Sequence, residues 1–336
     1  MSATDNQKLD VYGVGNAIVD ILAFVEEDFL GKHDLPKSGM TLMESPRQGK
    51  ILSELEHLPL QMSSGGSAAN SMIAIAQSGG TGIFVAKVAE DPNGELYRKD
   101  MRNSKIGFDV APTSTANGPT GTCVVLTTPD AERTMCTNLG ASVNLSADDI
   151  DPEQIKRCQY SYVEGYLWTG EDTKKACLKT MEESKRQGVK VSFTFSDQFL
   201  VNLFADDFKQ VTKDYCDVLF CNAEEILSFY GSESLDDCVA KIGEIVDTAF
   251  VTNGKEGCLV VKNKEIVSVK GFPVKAIDTV GAGDSFAGGV LYGLTHGYSE
   301  TDAAKWGNYL ASNIVTIQGP RLEGVWSDKI EGVLKA

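Results

Sequence analysis

The sequence has little positive charge. Lys and Arg number 31 against 47 Asp and Glu residues, so the 336-residue chain carries a formal net charge of -16 at pH 7. An acidic protein of this kind repels nucleic acids and anionic membranes. We therefore expect neither as a partner, and an anionic ligand would have to be held by backbone N–H groups, a few well-placed cations or a metal ion.

Long apolar runs and paired cysteines are also missing. No segment approaches the roughly 18 consecutive apolar residues of a membrane-spanning helix, and the opening "MSATDNQKLD" is polar. The eight cysteines form no CxxC pair, and several lie inside apolar runs such as "CVVL" and "LFC". This distribution favours buried thiols in a reducing cytoplasm over a disulfide framework or a zinc site.

Several catalytic motifs are absent as well. The chain has no GxxxxGK(S/T) sequence, and its three histidines, His33, His57 and His296, are isolated. Neither an HExxH motif nor a serine-nucleophile elbow accompanies them. These absences exclude the P-loop route to nucleotide binding and remove most of the support for hydrolase chemistry.

The remaining pattern is that of a folded α/β protein. Hydrophobic residues make up 42% and charged residues 23% of the chain. Short β-rich runs alternate with helical patterns, and repeated βα units predict a mostly parallel sheet covered by helices on both faces. The clearest predicted strands lie at 10–25, 159–167, 189–195, 217–222 and 248–254, with helices at 172–187, 199–212, 234–246 and 300–317.

Two segments, 21–62 and 112–140, interrupt this alternation. The second contains "GTCVVLTTPDAERTMCTNL", which has the pattern of a hairpin turning around Pro129, Asp130 and Ala131. We predict that both segments contribute to a small β-sheet lid over the main sheet. Because no internal repeat and no long linker is present, the whole chain is expected to form one domain.

The segment "AIDTVGAGDSFAGG" (276–289) carries the strongest chemical signal. It follows the strand-like "EIVSVKGFPVKAI" and begins a helical pattern, which places Asp284 in the first turn of a helix. Gly281 and Gly283 allow successive N–H groups to point into one concavity, where the helix start adds partial positive charge. A carboxylate there could take a proton from a hydroxyl that attacks a bound phosphate. The alternative is a glycine-rich turn with an acidic helix cap.

The N-terminal "GVGNAIVDI" resembles the start of a dinucleotide fingerprint, but Ile18 stands where a third small residue belongs. A nicotinamide-dependent oxidoreductase is therefore a weaker alternative. Asn16 and Asp20 could instead present an amide and a carboxylate to sugar hydroxyls at the carboxyl edge of the sheet. The other possibility is a loop that caps itself.

Four further stretches could contribute to a site. In "SSGGSAANSMIAIA" the pair Gly65 and Gly66 permits close approach of the backbone to a ligand, with Ser67 as an N-cap and Asn70 in the first turn. Arg133, on the returning hairpin strand, is either a surface residue or a cation that offsets charge on a moving phosphoryl group.

Asn222 and Glu225 in "CNAEEI" directly follow a predicted strand, so they either hold the waters of a magnesium ion or simply begin a helix. The loop "VTNGKEG" at 251–257 is a second strand end, along whose backbone a nucleotide could lie.

Taken together, "GNAIVDI", "GGSAAN", "NAEE" and "DTVGAGDSFAGG" resemble, in this order, the ribokinase-like (PfkB) family of sugar and nucleoside kinases over roughly residues 10–320. The resemblance implies a three-layer α/β/α fold with a small β-sheet lid and ATP-dependent phosphorylation of an alcohol. "PTGTCVVL" and "ERTMCTNLGAS" are similar to the lid strands of adenosine kinases. The leading expectation is therefore the ribose 5′-hydroxyl of a purine nucleoside; inosine, guanosine or a free sugar such as ribose or fructose is the alternative.

The resemblance also implies roles for individual residues. It makes Asp284 the catalytic base and Arg133 the phosphate-directed arginine, and it forms the anion hole from Gly281, Ala282 and Gly283. The substrate-binding residues that it implies are Asn16, Asp20, Gly65, Gly66, Asn70, Cys123, Tyr166 and Leu167. Phe199 is a further aromatic residue near the purine ring of the substrate.

For the phosphate donor the family implies ATP with Mg²⁺. The corresponding residues are Asn222, Glu225, Thr252, Gly254, Gly257, Thr279, Asn308 and Ser312, with Glu225 holding the magnesium ion through water. Several members use a monovalent cation, often potassium, and the loop 318–321 is the candidate site for it. Lid strands of this fold can pair between subunits, so a monomer and a homodimer are both open.

Overall fold

The computed structural model describes residues 8–130 and 132–335. Its strands, in chain order, are β1 Leu9–Val14, β2 Ile18–Phe24, β3 Met40–Leu42, β4 Gln61–Gly65, β5 Gly82–Val85, β6 Ile106–Gly107, β7 Gly121–Thr127, β8 Arg133–Asn138, β9 Cys158–Glu164, β10 Lys190–Thr194, β11 Val218–Asn222, β12 Thr248–Thr252, β13 Cys258–Lys262 and β14 Glu265–Val269.

The helices are α1 Glu27–Lys32, α2 Ser45–Leu55, α3 Ser67–Gln77, α4 Pro92–Asn103, α5 Pro152–Lys156, α6 Glu171–Arg186, α7 Gln198–Leu203, α8 Ala205–Asp214, α9 Ala223–Tyr230, α10 Leu235–Ile242, α11 Ala282–Thr295, α12 Glu300–Ile314 and α13 Ile330–Lys335. No helix in the described ranges is long and apolar enough to cross a membrane.

The main sheet has the strand order β14-β13-β12-β11-β10-β9-β1-β5-β6. Its strands run parallel from β12 to β6, and only β13 and β14 are antiparallel at one edge. Alternate strand residues point to opposite faces. Tyr12 and Leu219 belong to the core beneath α6, α8, α9 and α10, whereas Val11 and Phe220 belong to the core beneath α3, α11 and α12. The predicted mostly parallel sheet with helices on both faces is thus confirmed.

The small sheet has the order β3-β8-β7-β2-β4. Strands β7 and β8 form the predicted antiparallel hairpin, with Thr127 opposite Arg133; Ala131 of its turn lies outside the described residues. One face of the sheet packs against α1 and α2. The other face carries an apolar cluster around Ile18, Cys123 and Val125.

The local pattern was misleading for two of the predicted strands, and the helix predicted over 199–212 is divided into α7 and α8. The run 10–25 forms not one strand but β1 and β2, which belong to different sheets. The strand predicted over 265–277 ends at Val269, because Gly271 and Pro273 do not support a sheet ladder, and an irregular segment then leads to α11.

All eight cysteines are buried and unpaired, as the sequence pattern predicted.

Candidate active site

A cleft of about 430 Å³ lies between the small sheet and the carboxyl ends of the main-sheet strands. It is open to solvent on one side, and it collects residues that are far apart in the chain. The predicted site residues that line it are Asn16, Asp20, Gly66, Asn70, Cys123, Arg133, Tyr166, Thr279, Gly281 and Asp284, together with Phe199.

The start of α11 depends on the conformation of one glycine. Gly281 is the N-cap and has φ 78°, a left-handed conformation that side chains rarely adopt. A Cβ atom at this position would lie 2.6 Å from the carbonyl oxygen of Pro320. Of the predicted anion-hole amides, that of Ala282 donates to the Thr279 carbonyl at 3.3 Å, while Gly283 is exposed. The first N–H groups of a helix otherwise lack intrahelical acceptors, which leaves this turn suited to an anion.

Asp284 is held by two donors from α3. Ser67 Oγ donates to Oδ1 at 2.6 Å, and Asn70 Nδ2 donates to Oδ2 at 2.9 Å. Removal from bulk water raises the pKa of Asp284 to about 6, although both hydrogen bonds oppose this rise. The carboxylate is therefore oriented, and it is largely ionised at neutral pH. Ser67 was expected to be the N-cap, but Gly66 takes that position with φ 99°, which leaves the hydroxyl free to bond Asp284.

Asp20 lies on β2, where the small sheet meets the cleft, and burial raises its pKa to about 7. The missing side chain of Gly65 makes this position possible, because a Cβ atom there would lie 2.3 Å from Asp20 Oδ2. Gly66 likewise allows the backbone of Asn16 to approach, because a Cβ atom at position 66 would lie 2.3 Å from the Asn16 carbonyl oxygen. The glycine pair therefore allows close approach of protein groups that shape the cleft.

Asn16 is more constrained than the sequence indicated. Its Nδ2 donates to Glu164 Oε1 at 3.0 Å, and its Oδ1 accepts from Ser142 Oγ at 2.7 Å. Glu164 is fully buried and also accepts from the backbone N–H groups of Asn16 and Ala68, both at 2.7 Å. Burial raises the pKa of Glu164 to about 7. This carboxyl group fixes the β1–β2 connection to the start of α3, and sequence reasoning missed it.

Arg133 is not a surface residue. Its Nη1 atom lies 2.8 Å from Asp278 Oδ2, and both side chains are less than a tenth exposed. Asp278 also accepts from the backbone N–H groups of Val280 and Gly319 at 3.1 and 2.8 Å. The pair connects β8 of the small sheet to the segment before α11, so it brings a cation to the same end of the cleft as Asp284.

Leu167 does not belong to the cleft. Its side chain is 1% exposed in the main core, whereas the neighbouring Tyr166 lines the cleft. Residues 165–169 form a 3₁₀ turn, in which successive side chains point about 120° apart, so both could not face the same cavity. The Leu167 side chain therefore does not line the cleft, and its role in substrate binding stays a prediction.

Apart from Thr279, the residues predicted to bind nucleotide lie beyond the cleft, at the ends of β11 and β12, in the β12–β13 turn and on α12. Asn222 and Thr252 are register neighbours on β11 and β12.

Gly257 has φ 97°, and a Cβ atom at this position would lie 2.2 Å from the carbonyl oxygen of Val269. Asn308 Nδ2 donates to that same carbonyl at 3.0 Å. Gly254 also has a positive φ of 52°, while Ser312 Oγ donates to the Tyr309 carbonyl at 2.7 Å.

Asn222 and Glu225 form a capping box at the start of α9. Asn222 Oδ1 accepts from the Glu225 N–H at 2.8 Å, and Glu225 Oε2 accepts from the Asn222 N–H at 3.0 Å. The helix-start alternative is thus observed, and magnesium binding by Glu225 stays a prediction. Within the described part of the chain, no group of three or more His, Cys, Asp or Glu side chains could hold a metal ion. A magnesium ion held mainly by nucleotide phosphates and water needs no such group.

Comparison with known proteins identifies the family. The family model "pfkB family carbohydrate kinase" matches residues 55–326. The structure resembles that of a probable sugar kinase from Rhizobium etli CFN 42 with a TM-score of 0.91 and 32% identity, over 97% of this chain and 99% of the other. It resembles an adenosine kinase from Sinorhizobium meliloti with a TM-score of 0.90, the same identity and the same coverage.

Among curated proteins, adenosine kinase 2 of Arabidopsis thaliana is 26% identical over 94% of this chain and 96% of its own length. These matches confirm the kinase family rather than an oxidoreductase. They include both nucleoside and sugar kinases by name, so they fix the family more firmly than the acceptor. A match over most of the chain, a ribokinase-like arrangement of two sheets and a carboxylate held at the start of α11 together show that this chain belongs to the pfkB family of carbohydrate kinases.

Proposed function

We propose that the protein transfers the γ-phosphoryl group of ATP to the ribose 5′-hydroxyl of a purine nucleoside, with adenosine as the leading acceptor. The observation that carries the proposal is the Asp284 carboxylate, which two hydrogen bonds orient at the N-terminus of α11 inside a cleft large enough for a nucleoside. In this mechanism Asp284 takes the proton of the attacking hydroxyl. Its pKa of about 6 suits a general base that works near neutral pH.

The charge that develops on the phosphoryl oxygens would meet the first amides of α11 and the guanidinium of Arg133. ATP would lie along the ends of β11 to β14, with Mg²⁺ carried mainly by its phosphates and neutralising their charge. Thr279 lines the cleft next to this route. We further propose that the small sheet closes as the lid of a single kinase domain, which would exclude water as a competing acceptor.

The lining of the cleft favours a nucleoside over a free sugar. The lining divides into apolar and aromatic groups, from the small sheet and from Tyr166 and Phe199, and polar groups that include Asp20 and Asp284. A nucleoside has a flat apolar base joined to a polar sugar, which matches this division. A free sugar would leave the apolar wall without a partner. The eight buried thiols are consistent with a reducing cytoplasm as its location.

The test is a substrate panel. Purified protein with ATP and Mg²⁺ would be offered adenosine, inosine, guanosine, ribose and fructose, and ADP release would be measured for each. We expect the highest kcat/KM with adenosine. A preference for ribose or fructose would replace the nucleoside assignment with the sugar-kinase alternative, which the likeness to the Rhizobium etli protein favours. Tight adenosine binding without turnover would indicate a sensor and contradict the proposal.

A further inference from the structure

The segment after α12 places a partly buried arginine behind the proposed base. Arg321 lies in an irregular stretch near the C-terminus, and its side chain is 14% exposed. Its Nε atom donates to Asn70 Oδ1 at 2.8 Å. This contact fixes the orientation of the Asn70 amide, since the oxygen must face the guanidinium and the nitrogen must face Asp284. Asn70 Nδ2 then donates to Asp284 Oδ2 at 2.9 Å.

The far side of the guanidinium is anchored to another helix. Nη1 lies 2.9 Å from Asp100 Oδ2 on α4 and also donates to Ser64 Oγ on β4. Nη2 is buried and has no hydrogen-bond partner among the described residues. Arg321 is therefore a fixed cation, held by the small sheet and α4, that acts on Asp284 through a single side-chain amide.

The surroundings of Asp284 otherwise favour its neutral form. Asp20 faces it from β2, Glu164 from the end of β9, and Tyr162 and Tyr166 from β9 and the turn that follows. Removal from water is the main cause of the raised pKa of Asp284, and its ionised carboxylate in turn raises the pKa values of Asp20 and Glu164. Arg321 is the cation that lowers the pKa of Asp284 against these influences. Arg321 and Arg133 both lower the pKa of Asp20, and each is paired with a carboxylate, Arg321 with Asp100 and Arg133 with Asp278.

We propose that Arg321 is a positioning residue for phosphoryl transfer: its guanidinium fixes the Asn70 amide, which in turn holds the Asp284 carboxylate oriented and ionised. The inference rests on the proposed function, in which Asp284 is the base. The sequence had indicated residues 318–321 only as a candidate loop for a monovalent cation, and that role stays a prediction. Arg321, the last residue of this loop, is itself positively charged, and its guanidinium contacts Asp284 through the side chain of Asn70.

The experiment is the pH profile of kcat, with ATP, Mg²⁺ and adenosine as the probe acceptor, for the full-length protein and its variants. Arg321→Gln should move the acidic limb of the profile to higher pH by about one unit, because a neutral side chain no longer favours the ionised carboxylate. It should also lower the plateau kcat by about 10-fold, because the Asn70 amide is free to turn. Arg321→Lys should keep most of the charge effect but lose the fork that orients the amide, so its limb should shift less.

Three variants separate this role from a structural one. Arg186→Gln removes an exposed arginine of α6, 66% exposed, and should leave the profile unchanged. Asn70→Ala should reproduce the loss of plateau rate, and the double variant with Arg321→Gln should be no worse than Asn70→Ala alone if the effect passes through that amide. Arg321→Lys provides a folded variant if Arg321→Gln does not fold.

The outcomes are distinct. An unchanged acidic limb in Arg321→Gln, or a uniform loss at every pH with a lower Tm, would overturn the proposal and leave Arg321 a structural residue. Asp284→Asn is measured in parallel. If that variant keeps its turnover, the assignment of the base fails and the Arg321 proposal fails with it. If it is inactive while the Arg321→Gln profile matches the wild type, only the Arg321 proposal fails.

Discussion

At the scale of single residues, the central feature is a carboxylate whose surroundings favour its neutral form while its hydrogen bonds favour the ionised one. Desolvation raises the pKa of Asp284, and the donors Ser67 and Asn70 oppose that rise. A pKa of about 6 results from this balance. A base with such a pKa is ionised at neutral pH yet still accepts a proton from an attacking alcohol more readily than an exposed aspartate would.

Replacement of this carboxylate tests its role directly. We expect Asp284→Asn to lower kcat by at least about 10², because general-base assistance is lost while the shape of the site is kept. Adenosine affinity, measured by calorimetry, should stay within about threefold of the wild type because the remaining cleft is intact. A thermal melt verifies folding, since the new amide offers only one acceptor oxygen to the two donors Ser67 and Asn70. Near-normal turnover in a folded variant would contradict the assignment.

Gly65 offers a second test, at the sugar end of the cleft. A methyl group at this position would lie 2.3 Å from Asp20 Oδ2, so Gly65→Ala must displace the carboxylate. We expect KM for adenosine to rise by about 10-fold or more with a smaller change in kcat, because Asp20 is proposed to bind the ribose rather than to react. Gly49→Ala on α2 is the matched control, since a Cβ atom there meets nothing within 4 Å. An unchanged KM would remove Asp20 from the binding site.

At the scale of secondary-structure elements, the distance between α3 and α11 determines the site. Gly288 on α11 lies against α3 so closely that a Cβ atom would be 2.4 Å from the Ser71 carbonyl oxygen. The donors Ser67 and Asn70 belong to α3, and the acceptor Asp284 belongs to α11. The hydrogen bonds of 2.6 and 2.9 Å that orient the base therefore require a glycine one turn further along the helix.

Gly288→Ala should push the two helices apart. We expect it to lower stability by about 1–3 kcal/mol, as overpacking does, and to lower kcat by about 10-fold because the base loses its orientation. Thermal melts and steady-state kinetics measure the two effects. Gly332→Ala on α13, where a Cβ atom has no neighbour within 4 Å, should instead leave activity unchanged and slightly raise the Tm. A Gly288→Ala variant with normal stability and rate would show that the helix contact is not critical.

The elements also show what the sequence could reveal. The alternation of strands and helices, the β7–β8 hairpin and the glycine-rich start of α11 depend on local patterns, and these were predicted. Glu164, Asp278 and Arg321 were missed because their roles arise from contacts across the chain: Asn16 and Glu164 are 148 residues apart, and Asn70 and Arg321 are 251 apart. The orientation of Leu167 away from the cleft could not be predicted for a local reason, since one residue of a 3₁₀ turn changes which side a side chain faces.

At the scale of the whole molecule, several acidic groups are held where water cannot fully solvate them. Burial raises the pKa to about 7 for Asp20, Glu164 and Glu225, and to about 6 for Asp284. The net charge of -16 adds general repulsion at neutral pH. The ligand-free fold therefore contains an electrostatic strain that a protonated state would relieve, and three of the four groups line the cleft.

This arrangement fixes the sign of the pH dependence of stability. A carboxyl group with a raised pKa binds its proton more tightly in the folded than in the unfolded state. The stability that this proton provides, as part of the free energy of unfolding, is fully present below the unfolded-state pKa of about 4. It is lost as the pH rises through the folded-state pKa of about 7. The opposite effect, from groups such as Asp130 with its pKa lowered to about 2, acts only at more acidic pH. We therefore expect the Tm of the ligand-free protein to fall as the pH rises from about 5.5 to about 8.

General charge repulsion predicts the same direction, so variants must separate the two causes. The double variant Asp20→Asn, Asp284→Asn removes from the cleft two carboxyl groups whose pKa values are raised, and it should flatten the slope of Tm against pH. The pair Asp172→Asn, Glu331→Gln removes the same number of negative charges from side chains that are 65% and 86% exposed, and it should leave the slope nearly unchanged. Melts at constant ionic strength across this pH range measure both. Equal slopes in the two variants would assign the dependence to net charge, and a Tm that rises with pH would contradict the buried carboxylates altogether.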